Sequence, residues 1–157
     1  MTLEGAQAPE FDLLDQDGNA VRLSSFRGRW VVLYFYPAAM TPGCTVQACA
    51  IRDRHEEFER AGAVVLGVSP DKPKRLKTFA GKFDLPFTLL SDPDHEVARR
   101  YGTWGQKSGP IPQLATERST FVIDPDGNVA AELRKVSARK HDELVLDVLR
   151  AGEPAPA

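Results

Sequence analysis

The residues with the most chemistry to offer are two cysteines, Cys44 and Cys49, five positions apart. Cys44 ends the run Met-Thr-Pro-Gly-Cys, where a Pro-Gly pair breaks an apolar stretch and opens a helix-like pattern. The thiol therefore falls near the N-cap or in the first turn of a helix. Unpaired N–H groups and the helix dipole favour an anion at that place, and the anionic thiolate is the nucleophilic form of the side chain. Thr41, three residues earlier, brings a hydroxyl that can donate to the thiolate or to a bound oxygen.

Helix geometry separates the two sulfurs. Five residues at 1.5 Å and 100° each put the two Cα atoms about 8.5 Å apart, beyond the ~4.4–6.8 Å that a disulfide spans. Two thiols held in one helix do not bond, so a disulfide between them requires at least one turn to melt. Cys44, Ala48, Ile51, His55 and Phe58 share one helical face, whereas Cys49 lies toward Arg52, Asp53 and Glu56. Taken alone, the C-x₄-C spacing fits two inert, packed thiols as well as a reactive pair. A zinc site is the weaker reading, because His55, His95 and His141 are scattered and suit surface or packing roles.

The elements that must position these thiols follow from the pattern of the chain. At 157 residues, with 42% hydrophobic and 27% charged side chains, the chain has room for one domain with a real core. Twenty Lys and Arg against 22 Asp and Glu give a net charge of −2, with no basic stripe to engage nucleic acid. The longest apolar run, residues 30–36, falls well short of the roughly 20 residues of a membrane span. The first ten residues have no signal-peptide pattern, and a cytoplasmic protein is expected. In that reducing compartment a transient disulfide is a better reading of two cysteines than a structural one.

Residues 11–14 and 20–23 flank Asp-Gln-Asp-Gly and predict a hairpin. Strands are predicted over 30–36, 63–69 and 88–91, and a second hairpin over 120–123 and 129–133 around Asp-Pro-Asp-Gly. Helices are predicted over 45–60, 72–82, 94–101 and 141–150, the second with Asp71 as its N-cap and the last with Leu144, Val145, Val148 and Leu149 on its apolar face. A polar, proline-bearing loop covers 103–117. The alternation of strands and helices implies an α/β domain, parallel in the middle of its sheet, with antiparallel additions from the two hairpins. The domain is expected over residues 1–150, with 151–157 a flexible tail.

The segment Pro37-Ala-Ala-Met-Thr41-Pro-Gly-Cys44-Thr45 resembles the active-site motif Pro-x-x-x-Thr-x-x-Cys of the peroxiredoxin family. Tyr-Phe-Tyr-Pro before it, Thr-Val-Gln-Ala-Cys after it, and the later Leu-Leu-Ser-Asp, Tyr-Gly-x-Trp-Gly and Phe-Val-Ile-Asp-Pro-Asp-Gly-Asn extend the likeness over about residues 3–150. It is nearest to the Q-type, or bacterioferritin comigratory protein, subfamily. The resemblance implies a thioredoxin-like fold with an N-terminal β-hairpin extension and a central mixed sheet flanked by helices. It implies a peroxidase that reduces hydrogen peroxide and organic hydroperoxides, with Cys44 as the peroxidatic and Cys49 as the resolving cysteine. Their intramolecular disulfide would be reduced by thioredoxin or a similar dithiol. Pro37 would shield the thiolate from water, and Thr41 would hydrogen-bond the peroxide. Arg118, in Glu-Arg-Ser-Thr-Phe-Val-Ile-Asp, would stabilise thiolate and departing oxygen. No metal or organic cofactor is signalled.

The chain departs from relatives in its proline-bearing segment 105–116, beside Arg118. It also lacks a C-terminal Tyr-Phe pair and C-terminal cysteine, which favours a monomer over a dimer that resolves across subunits. Two other readings share the thiols. A thiol–disulfide oxidoreductase is disfavoured, since that chemistry uses C-x-x-C. A non-enzymatic redox sensor would use the same disulfide.

Overall fold

The computed structural model describes residues 2–106 and 114–152. The strands are β1 (Asp12–Asp15), β2 (Ala20–Arg22), β3 (Trp30–Phe35), β4 (Ala63–Ser69), β5 (Thr88–Ser91), β6 (Trp104–Gln106), β7 (Leu114–Thr116), β8 (Ser119–Ile123) and β9 (Val129–Leu133). The helices are α1 (Pro42–Asp53), α2 (His55–Arg60), α3 (Pro73–Lys82), α4 (Glu96–Arg100) and α5 (His141–Ala151), with a 3₁₀ turn at Leu23–Phe26. Seven strands form one mixed sheet in the order β2-β1-β5-β4-β3-β8-β9. The β3–β4 and β4–β5 pairs are parallel, and both hairpins add antiparallel strands at the flanks. This is the expected thioredoxin-like, helix-flanked sheet with its N-terminal hairpin.

The continuous apolar run of β3 has a direct cause: the strand is covered on both faces. Val32 and Tyr34 face the layer of α1, α2, α3 and α5, packing with Ile51, Phe58, Phe79 and Val145. Val31, Leu33 and Phe35 face the other layer, with Phe11, Leu66, Val97 and Phe121. Period-two alternation thus divides one strand between two cores.

Four expectations need correction. The helix predicted over 45–60 is two helices, because Arg54 leaves helical geometry at φ −115°, ψ 19°. Its guanidinium pairs with Glu57 at 3.0 Å and Asp142 of α5 at 3.3 Å, so the break turns the chain toward α5. The wheel did not register it, since Ile51 and Phe58 are buried on either side. The loop expected over 103–117 contains β6 and β7, paired antiparallel through Trp104 opposite Thr116. Two strands of three residues each carry too little alternation to read. Lys72, not Asp71, precedes α3 as its N-cap, without a side-chain cap. On α5, Leu144 is 43% exposed, and the buried set is His141, Val145, Leu146 and Leu149. Of the expected tail, Ala151 ends α5 and Gly152 caps it, while 153–157 lie outside the described residues. Most of the proline-bearing segment, 107–113, lies outside them too. No helix is long and apolar enough to cross a membrane among the described residues.

Candidate active site

The site forms where β3 delivers the chain to α1. Pro37 follows the strand, is exposed, and cannot extend the ladder because it has no N–H. Thr41 is the N-cap of α1, with extended backbone at φ −77°, ψ 154°. Pro42 opens the helix, Gly43 follows, and Cys44 is its third residue. The first bond of the helix runs from Thr45 N–H to the Thr41 carbonyl at 2.9 Å. The N–H groups of Gly43 and Cys44 consequently sit at the unsatisfied, positive end of the helix.

Cys44 is 1% exposed, and Cys49, a turn and a half further along, is half-buried; both are free thiols. Both thus lie within α1, the arrangement in which the spacing forbids a direct bond.

Arg118 arrives through sheet register. Strand β8 runs antiparallel to β3 with Phe35 opposite Ser119, so the residue before Ser119 emerges where β3 gives way to the active-site loop. The Arg118 carbonyl accepts from Val136 N–H at 3.0 Å, which fixes its backbone. Its Nη2 donates to Cys44 Sγ at 3.5 Å, and its Nη1 donates to Gln47 Oε1 in a short hydrogen bond. Sequence spacing and register together therefore bring Cys44 and Arg118 into contact from 74 positions apart.

Thr41 behaves differently from the first sequence expectation. Its hydroxyl donates to the Ala38 carbonyl at 2.8 Å rather than to the sulfur. The lone pairs of Oγ1 remain available to accept.

Sequence reasoning missed two residues here. Gln47 is fully buried on α1, one turn past Cys44, and orients the guanidinium. A glutamine three residues after a cysteine on its helical face was the readable signal. Gly43 matters for the space it leaves: a Cβ there would meet Arg118 Nη2 at 3.1 Å. Behind the sulfur, the hydroxyls of Tyr34 and Tyr36 are buried without a hydrogen-bond partner among the described residues. Burial pushes both phenols up, and for Tyr34 the neighbouring Tyr36 and Cys44 add to it, so both stay neutral. His141 Nε2 meets Thr120 Oγ1, and burial, reinforced by the Arg118 charge, holds His141 down to about 3. Of the other histidines, His55 pairs with Glu59 at 2.7 Å and His95 stacks on Trp104. Among the described residues no group of three or more His, Cys, Asp or Glu is placed to hold a metal ion.

A thioredoxin-like sheet with a buried cysteine at the start of a helix and an arginine donating to its sulfur defines a thiol-dependent redox protein. The chain belongs to the AhpC/TSA family, whose model matches residues 5–132. It is similar to the Peroxiredoxin Bcp of Escherichia coli strain K12, 48% identical over 147 residues, 93% of this chain and 94% of that protein. It is 47% identical to the putative peroxiredoxin bcp of Haemophilus influenzae over 94% of this chain and 96% of that protein. Among solved structures it resembles Xanthomonas campestris Peroxiredoxin Q, with a TM-score of 0.87 and 36% identity over 90% of each chain. A second, at a TM-score of 0.86, 36% identity and 90% of each chain, is the X. campestris bacterioferritin comigratory protein, described for its alkyl peroxide reduction activity. The chain is thus a peroxiredoxin of the Bcp, or Q, type, and a thiol-dependent peroxidase.

Proposed function

We propose that Cys44 is the peroxidatic cysteine and that hydrogen peroxide and alkyl hydroperoxides are its substrates. The observation that carries this reading is the 3.5 Å contact from Arg118 Nη2 to Cys44 Sγ. The thiolate attacks one peroxide oxygen; an S–O bond forms, the O–O bond breaks, and the departing alkoxide or hydroxide takes a proton from solvent and leaves as alcohol or water. Negative charge grows on the departing oxygen, where the Arg118 guanidinium and the N–H groups at the start of α1 can meet it without rearranging. Thr41 accepts the O–H of the incoming peroxide, its own proton being committed to Ala38. Pro37 shields the thiolate from bulk water.

The sulfenic acid left on Cys44 is then attacked by the Cys49 thiolate, forming the S–S bond and releasing water. Thioredoxin or a similar dithiol returns both thiols. The reading places one such domain over residues 1–150, acting as a monomer in the cytoplasm.

Cys44→Ser should abolish peroxide turnover. Cys49→Ser should consume about one equivalent of peroxide and then stop, since only one thiol per chain remains to be oxidised. Peroxide consumption with and without thioredoxin separates the two outcomes. Full turnover by Cys44→Ser would end the reading, and insulin reduction at a high rate would favour a disulfide oxidoreductase instead.

A further inference from the structure

The loop that leads into α1 is held by a group with no part in the chemistry above. Asp71 Oδ2 accepts from Ala39 N–H at 2.7 Å and from Ser69 Oγ at 2.8 Å. Its Oδ1 pairs with Arg75 Nε at 3.2 Å, and Arg75 Nη2 donates to the Ala39 carbonyl at 3.4 Å. The N–H and the C=O of one buried residue are thus gripped by the two ends of a single ion pair. The Asp71 carbonyl accepts from Ser91 Oγ at 2.7 Å, which ties the grip to β5. The next loop residue, Met40, has φ +64°. Left-handed backbone is unfavourable for a non-glycine residue and persists only where its surroundings over-determine it.

We propose that Asp71, backed by Arg75, is a positioning residue: it latches residues 38–41 in the form that presents Thr41 and Cys44 to peroxide. It acts through the Ala39 peptide and touches neither sulfur. Releasing the latch lets Met40 relax and shifts α1 toward the unwound form in which Cys44 reaches Cys49. The proposal rests on the peroxidase reading and assigns opposite signs to its two half-steps.

In single-turnover stopped flow, Asp71→Ala should slow Cys44 oxidation about 10-fold and speed disulfide closure about 3–10-fold. Less Cys44 should then reach sulfinic acid at high peroxide. Asp71→Asn keeps an acceptor for Ala39 N–H and should restore most of the oxidation rate. Arg75→Ala, on the surface, should move both rates in the same directions by about 2–3-fold, and it decides the matter if Asp71→Ala does not fold. A merely structural role would slow both steps together, and that result, or two unchanged rates, would overturn the latch. Oxidation in a Cys49→Ser background isolates the first step. If Asp71→Ala slows it there while the wild type forms no Cys44–Cys49 disulfide, the resolving role fails and the latch on attack stands. If the wild type closes its disulfide and neither variant alters a rate, the latch fails and the peroxidase reading stands.

Discussion

At the scale of single residues, the site depends on where one guanidinium can rest. Gln47 accepts from Nη1, Nη2 lies against Cys44 Sγ, and Gly43 leaves the room that Nη2 occupies. Gly43 is helical, so Ala there favours α1 by about 1 kcal/mol in intrinsic propensity. Its Cβ nevertheless stands 3.1 Å from Nη2, closer than ordinary contact, so the guanidinium must shift by a few tenths of an ångström. On the proposed role of Arg118, Gly43→Ala should therefore leave stability unchanged or higher while slowing Cys44 oxidation about 3–10-fold, because the guanidinium is displaced from the sulfur. Arg118→Ala should cost about 100-fold or more, the scale of losing a transition-state donor. Chemical denaturation beside stopped-flow oxidation reads the split. Equal oxidation rates for wild type and Gly43→Ala would mean that the guanidinium position is not tightly constrained.

At the scale of elements, the proposed cycle requires α1 to be folded for attack and open for the disulfide, and the question is where opening stops. The residues that leave the core when the first turns unwind are Cys44, Ala48 and the polar Gln47, none of them a large apolar side chain. Ile51, fully buried one turn on, contributes about 1.5–3 kcal/mol and resists. Arg52 adds a tether, donating to the Phe83 carbonyl at 2.8 Å. Oxidation to the disulfide should thus speed amide hydrogen exchange over residues 43–50 and leave 51–53 protected. Ile51→Ala should carry the exchange through to Arg54. Equal protection of the whole helix in both redox states would contradict this. Much of this architecture is legible in the sequence, because Pro42-Gly43 marks the strand-to-helix step and the wheel separates Cys44 from Cys49. The break at Arg54 is not, since it conserves the buried face and is set by a partner, Asp142, far along the chain. Asp71 was equally hidden. Its position suggests a cap, whereas the fold turns its carboxylate toward a loop 32 residues earlier. Register and tertiary hydrogen bonds leave no local signature.

At the scale of the whole molecule, α5 closes the sheet over the layer that holds the active site, and His141 sits at its start. The ring is fully buried, 5.5 Å from the Tyr34 ring, with Nε2 on Thr120 of β8 and Nδ1 without a partner among the described residues. Burial first, then the Arg118 charge, lower its pKa from 6.5 to about 3. The unfolded chain therefore binds a proton that the folded chain refuses wherever the pH lies between those two values. The contribution of a neutral His141 is fully present above about pH 6.5 and is lost progressively as pH falls toward about 3. At about 1.4 kcal/mol per pH unit, acidification from pH 7.5 to 5 should withdraw about 2 kcal/mol through this one group. Urea unfolding of wild type and His141→Gln at both pH values tests it. Gln retains a polar atom for Thr120 and cannot titrate, so the wild type should lose about 2 kcal/mol more than the variant on acidification. Parallel losses in the two proteins would show that His141 takes up its proton within the fold. The opening of α1 would respond differently. Cys44 and Ala48 can leave the core while His141 stays buried against β8, so the redox-dependent exchange of α1 should persist at pH 5 even as global stability falls.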